Sequence, residues 1–209
     1  MLEAATRTVT PEHHNLRIQG KGACNWRQLQ VPFLLSAKKQ TRDRGLAMNA
    51  FVAPIKKETL IIIGNGMVGH HCIEQLVEQG ALAHYQVHVF GEERQRAYDR
   101  VHLSEYFGGR DAESLALCAA DYYSEHGVQA HLHEAVLEID REQQEVVTAN
   151  GRIAYDKLIL ATGSYPFVPP IPGAEGNSRL VYRTLDDLDA IRAAAAGARR
   201  GVVVGGGLL

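Results

Sequence analysis

Leu60-Ile61-Ile62-Ile63-Gly64-Asn65-Gly66-Met67-Val68-Gly69 places a β-branched run directly ahead of a GxGxxG turn. A strand that feeds such a turn delivers the chain to a helix N-terminus, where free N–H groups and the helix dipole attract a pyrophosphate. Each glycine has a mechanical task. Gly64 permits the tight turn, Gly66 has no Cβ to obstruct approaching phosphates, and Gly69 lets the helix pack closely on the strand. Asn65, Met67 and Val68 fill the variable positions of the same cradle. Beyond the turn, Val68, Cys72, Ile73, Leu76 and Val77 recur at helical spacing, and Gly80 stands where a left-handed C′ residue ends a helix. The next strand is expected over 85–90. It runs into Glu92 and Glu93, roughly 20 residues past the glycines, where an acid meets a ribose hydroxyl in dinucleotide sites. Both are candidates for the cofactor, with Glu92 slightly preferred because it follows the strand sooner; the bland alternative for Glu93 is a solvated loop charge. The competing explanation is a structural glycine turn in another α/β protein.

The composition agrees with this pattern. With 209 residues, 45% hydrophobic and 22% charged, the chain can bury one domain core and part of a second. A net charge of -2 and a pI near 6.5 offer no global attraction for nucleic acid or an anionic membrane. Cys24, Cys72 and Cys118 are far apart, which disfavours a disulfide scaffold, and Cys72 and Cys118 are expected on apolar helix faces. Glycine interrupts the 60–63 run long before it reaches the length of a membrane span. A reducing, cytoplasmic setting is expected.

Residues 1–57 read as an N-terminal extension. They are basic, with little periodicity and no secretory h-region, and are expected to be disordered or to come from an upstream start, with Met48 as the natural first residue. Residues 58–168 read as an α/β domain with a parallel sheet and an added β-meander. After the first βαβ unit, a helix is expected over 112–125 with Leu115, Cys118, Ala119 and Tyr122 on one face and Gly127 at its end. Strands follow over 128–132, 135–139 and 145–148. Asn150-Gly151 signals a two-residue hairpin turn into a strand over 152–155. The run 157–163, ending Ala161-Thr162-Gly163, reads as a buried strand returning to the parallel sheet. Residues 169–209 read as a proline-marked linker, a helix capped by Thr184 and Asp187 that carries Leu185, Leu188 and Ile191, and a second fingerprint. That fingerprint, Gly201-Val202-Val203-Val204-Gly205-Gly206-Gly207-Leu208-Leu209, stops before its last glycine and its helix.

Together the GNGMVG turn, Tyr98-Asp99-Arg100-Val101-His102-Leu103-Ser104, the Ala161-Thr162-Gly163 strand end and the Gly205-Gly206-Gly207 restart resemble FAD-dependent reductases of the pyridine nucleotide-disulfide oxidoreductase superfamily. GNGMVGHH with YDRVHLSEYF resembles most the branch formed by large subunits of NAD(P)H-dependent nitrite reductases. The resemblance implies a Rossmann-like FAD-binding domain over 58–168, completed in the family by a segment that returns after the nicotinamide domain. It further implies that 169–209 begin a second Rossmann-like domain for NAD(P)H. Gly64, Gly66 and Gly69 would hold the FAD pyrophosphate, Glu92 the ribose, and Arg100 the phosphates or ribose; the alternative for Arg100 is a surface ion pair. Ala135 and Val136 would lie beside the adenine through backbone groups, or else be plain strand residues. Ala161, Thr162 and Gly163 would pass close to the flavin, and Gly205 and Gly207 would belong to the nicotinamide site. Hydride would pass from the nicotinamide to FAD, with no side chain acting as acid or base.

The implied iron-sulfur cluster and sirohaem would reside outside these residues, which lack the cysteine clusters they need. Nitrite would be the substrate of the full-length protein, with a small subunit or a homo-oligomer as possible partners. A stand-alone reductase for ferredoxin or rubredoxin and a non-catalytic dinucleotide-binding module remain as alternatives. The segment Leu103-Ser104-Glu105-Tyr106-Phe107 carries no redox cysteine, which disfavours thiol chemistry, and Glu105 stands where many ferredoxin reductase relatives have lysine. His70 and His71 are expected to be packed or solvated rather than to ligate a metal.

Overall fold

The computed structural model describes residues 56–170, 172 and 179–205, together with the backbone of Arg17–Gln19. Its strands are β1 (Arg17–Gln19), β2 (Glu58–Ile63), β3 (Tyr85–Gly91), β4 (Gln129–Leu132), β5 (Val136–Asp140), β6 (Glu145–Thr148), β7 (Gly151–Ala154) and β8 (Lys157–Leu160). The helices are α1 (Met67–Glu78), α2 (Ala112–Leu115), α3 (Tyr122–Glu125) and α4 (Leu185–Ala195). Met48, Cys24, Gly207 and most of the expected extension lie outside the described residues. Arg17–Gln19 had no strand signal, yet its backbone pairs in parallel with Glu138, Ile139 and Asp140 of β5.

The apolar run of β2 is buried on both faces, and this organises three layers. Leu60 and Ile62 point to one side, where they pack with Ile73 of α1, Val87 and Val89 of β3, and Tyr123 of α3. Ile61 and Ile63 point to the other side and meet Phe90, Val136, Ile139 and Val146. Period-two alternation thus sends successive side chains into two different cores, each full burial contributing about 1.5–3 kcal/mol. The parallel sheet has the order β4-β3-β2-β8, and β5, β6 and β7 form the antiparallel meander that covers one of its faces. Since β2 is followed in sequence by β3 on one side and flanked by β8 on the other, the strand order reverses between β2 and β8. Ligands of open α/β sheets bind at such a point, outside the carboxyl ends of the strands.

Several local expectations need correction. Residues 112–125 do not form one helix. The capping box of Asp111 and Ser114 starts α2, but Ala116 is extended and pairs with Tyr98. Asp99 N–H donates to Leu115 and Leu117 N–H to Ala97, so pairing with 97–99 replaces the helical ladder until α3. Cys118 therefore lies on no helix face. Gly127 does end α3 in the left-handed region, at φ 69°.

The hairpin between β6 and β7 forms, but Gly151 already pairs with Thr148, leaving Ala149 and Asn150 as the loop. The two-residue turn is thus one position earlier than expected, with no positive φ in the loop and Gly151, at φ 143°, already opening β7. β8 joins the sheet in parallel as expected, but it is an edge strand, and Leu160 is 49% exposed rather than buried. Val68 is also exposed, in the first turn of α1, rather than packed on its apolar face. The described part of the second fingerprint, 201–205, forms no strand: Val202, Val203 and Val204 are exposed and find no strand to pair with among the described residues.

Candidate functional site

The glycine turn is shaped by what surrounds it. Gly64 has φ 114°, and a Cβ there would lie 2.2 Å from the carbonyl oxygen of Ala161. A Cβ on Gly69 would lie 1.9 Å from the carbonyl oxygen of Gly64, so α1 backs directly onto the strand end. Gly66 differs in kind: no atom lies within 4 Å of where its Cβ would be. Its bare backbone leaves open space rather than accommodating the protein. Gly66 is also the N-cap of α1 and supplies no side-chain cap, so the first-turn N–H groups lack an intrahelical or capping acceptor.

That open space belongs to a cleft of about 1010 Å³ at the carboxyl ends of β2, β3 and β8. It brings together Gly64, Asn65, Gly66, Met67, Val68, Glu92, Glu93, Arg100, Ala135, Val136, Ala161, Thr162 and Gly163. Gly69 lies behind the turn, where it sets the packing of α1. Gly205 is not brought to this cleft.

The two glutamates have different surroundings. Glu93 accepts from the Tyr98 hydroxyl at 2.7 Å and pairs with Arg100, so both its oxygens are engaged inside the protein. It is therefore no solvated loop charge, and Arg100 forms a half-buried pair rather than a surface one. Glu92 directly follows β3 and is more exposed. It accepts from Tyr165 at 2.6 Å and faces Arg183 at 3.6 Å, with the Arg183 guanidinium stacked 4.6 Å from the Tyr165 ring centroid. Burial, reinforced by the hydrogen bond to Glu92, pushes the Tyr165 hydroxyl up to about 12. The backbone near Ala135 is tied to the same strand end: His133 N–H donates to the Glu93 carbonyl and Glu134 N–H to that of Gly91, both at 2.9 Å.

Arg183, Tyr165, Gln95, Leu103 and Glu134 also line the cleft, and sequence reasoning had not placed them there. Arg183 carries a signal that was available: it immediately precedes the Thr184–Asp187 capping box. Asp187 accepts the N–H of Arg183 as well as that of Thr184, which anchors the arginine's backbone at the cleft.

The described residues contain no cluster of three or more metal-ligating side chains. His70 is buried and His71 exposed, so one is packed and the other solvated. Burial raises both described thiols, Cys72 and Cys118, and neither lines the cleft. No helix among the described residues is long and apolar enough to cross a membrane.

A parallel sheet with a glycine cradle at its switch point, a helix N-terminus and an acid after the second strand define a dinucleotide-binding α/β protein. The chain belongs to the family described as pyridine nucleotide-disulphide oxidoreductase, whose model matches residues 58–209. It is 57% identical over 154 residues to the nitrite reductase [NAD(P)H] large subunit of Klebsiella oxytoca, covering 73% of this chain and 16% of that protein. It is 47% identical over 156 residues to the nitrite reductase (NADH) large subunit of Escherichia coli K12, covering 74% and 18%. The chain thus spans less than a fifth of the length of these relatives. Among solved structures, putidaredoxin reductase in its covalent complex with putidaredoxin aligns with a TM-score of 0.57 and 30% identity, over 65% of this chain and 34% of that one. The water-forming NADH oxidase of Lactobacillus brevis aligns at 0.61 and 22% identity, over 69% and 33%, which bears on the fold alone.

Proposed function

We propose that the chain is the FAD-binding part of an NAD(P)H-dependent oxidoreductase of the nitrite reductase large-subunit type. The observation that carries the reading is the space left open in front of Gly66, at the bare N-terminus of α1 and between the ends of β2 and β8. A dinucleotide pyrophosphate fits it chemically: the helix end offers N–H donors, and Arg100 and Arg183 supply positive charge at the rim. Glu92 retains acceptor capacity for ribose hydroxyls, whereas Glu93 is committed to holding Arg100 and Tyr98. Ala135 and Val136 offer backbone groups to the adenine side, and Thr162 and Gly163 border the flavin side. When bound, FAD supplies hydride acceptance from a reduced nicotinamide and onward delivery of electrons. The protein binds and orients; no side chain of the cleft is assigned a proton-transfer role.

The nitrite reductase branch is supported by the 57% and 47% identities. In that reading the whole protein is cytoplasmic, uses nitrite as substrate, and carries the electrons to an iron-sulfur cluster and sirohaem outside these residues. Residues 201–209, with Gly205 and Gly207, begin the NAD(P)H-binding domain. The likeness to putidaredoxin reductase supports the second reading, a stand-alone reductase for ferredoxin or rubredoxin.

Purified chain with added FAD is expected to retain a flavin absorbance spectrum through gel filtration, and Gly66→Ala to lose it. A wild-type chain that stays colourless overturns the assignment. To separate the two readings, residues 58–209 would replace the matching segment of the E. coli large subunit. NADH-dependent nitrite reduction by this chimera supports the nitrite reductase branch. A chimera that keeps flavin but no longer reduces nitrite favours the alternative.

A further inference from the structure

Arg100 borders the cleft from a turn in which Asp99 Oδ1 accepts the N–H of Val101 at 2.8 Å. Such a turn fixes the backbone but leaves a long, flexible side chain free to wander. The guanidinium is nevertheless held from two directions. Its Nη2 donates to Oε1 of Glu93, and its carbon lies over the Tyr98 ring, 5.2 Å from the centroid. A guanidinium carries five N–H donors, so one bond to Glu93 leaves others for a second anion. The Arg100 side chain also keeps 27% of its surface at the cleft rim.

Tyr98 is the fixed member of this group. It is buried, packs with Leu103, Leu115 and Leu185, and pairs through its backbone with Ala116. Its hydroxyl donates to Oε2 of Glu93 at 2.7 Å. Burial, reinforced by that bond, holds the phenol pKa well above the ordinary tyrosine range, so Tyr98 remains a donor at any working pH. The last torsion of a glutamate side chain is broad, and an unanchored carboxylate turns freely about it. With Oε2 held by Tyr98, Oε1 is left facing Arg100.

We propose that Tyr98 is a positioning residue: through Glu93 it sets the direction in which Arg100 presents its remaining N–H donors to the phosphates of the bound dinucleotide. This rests on the FAD reading above. The Tyr98 ring supplies the second constraint, because a cation placed over an aromatic face is attracted to it. The arginine is thereby ordered before the ligand arrives, and less ordering remains to be done on binding. The core that holds Tyr98 also seats α4, the helix that follows Arg183, so both rim arginines rest on one packed cluster.

The test is a double-mutant cycle on the 209-residue chain, read as FAD affinity by flavin fluorescence, with near-ultraviolet circular dichroism reporting the fold. Tyr98→Phe keeps the ring and its packing but removes the donor to Glu93. It is expected to weaken FAD by about fivefold, Arg100→Ala by about tenfold, and the double variant no more than Arg100→Ala alone. A tyrosine that only supported the fold would act equally with and without Arg100. Losses that multiply fully, or an unchanged affinity in folded Tyr98→Phe, therefore overturn the proposal while leaving FAD binding intact. A wild-type chain that binds no FAD overturns both readings. If Tyr98→Phe does not fold, Glu93→Gln carries the test, since its amide keeps the shape but offers one acceptor oxygen where Tyr98 and Arg100 require two. It is expected to weaken FAD only when Arg100 is present. Wild-type or tighter affinity in folded Glu93→Gln overturns the proposal.

Discussion

Gly64 and Gly66 share a motif but not a physical role, and alanine at each should separate them. Gly64→Ala puts a Cβ into the Ala161 carbonyl at positive φ and is expected to destabilise the fold by at least about 3 kcal/mol, measured by urea denaturation. Gly66→Ala meets open space, so its stability should change by less than about 1 kcal/mol while flavin binding falls. At His88 the prediction concerns pH. Burial lowers its pKa below the ordinary 6.5, and the neighbouring His131, 3.1 Å away, lowers it further. The unfolded chain then takes up the proton first. This stability is fully present above pH 6.5 and is lost as pH falls from there towards the folded value. Urea midpoints at pH 7.5 and 5.5 are expected to differ less in His88→Leu than in wild type; the buried His70, also shifted down mainly by burial, leaves part of the slope in place.

Among the elements, α4 shows how a short local signal reaches the site. The Thr184–Asp187 box was legible because its partners are three residues apart, and it forms as read. Its effect on Arg183 was less visible, because that depends on where α4 docks. Leu185 and Leu188 bury against Tyr98, Leu103 and Leu115, which joins α4 to the loop carrying Arg100. Leu188→Ala is expected to cost about 2–5 kcal/mol, and Thr184→Ala about 0.5–2 kcal/mol, both by denaturant unfolding. The misread helix over 112–125 has the opposite lesson. Its apolar spacing was helical, but backbone pairing with 97–99 claimed 115–117, and periodicity carries no information about a competing partner 18 residues upstream.

For the whole molecule, layering around β2 makes the cleft a product of three separate chain segments, so ligand and fold should be thermodynamically linked. FAD at about 100 times its Kd is expected to raise unfolding free energy by about 2.7 kcal/mol, seen as an upward Tm shift that Gly66→Ala abolishes and riboflavin, lacking the pyrophosphate, does not reproduce. The glycine turn, its helix, the following acid and the return of 157–160 to the sheet were determined by the sequence alone, because each rests on steric or periodic rules acting within a few residues or on an uninterrupted apolar run. Which glutamate is engaged by Arg100, that Arg183 and Tyr165 close on Glu92, and that Tyr123 and His70 hold Asn65 were decided only by tertiary structure. Apart from the helical Tyr123 and His70, those contacts are made by residues on the loops between elements, and side-chain hydrogen bonds of 2.6–3.1 Å exist only once the packed layers have set the distances.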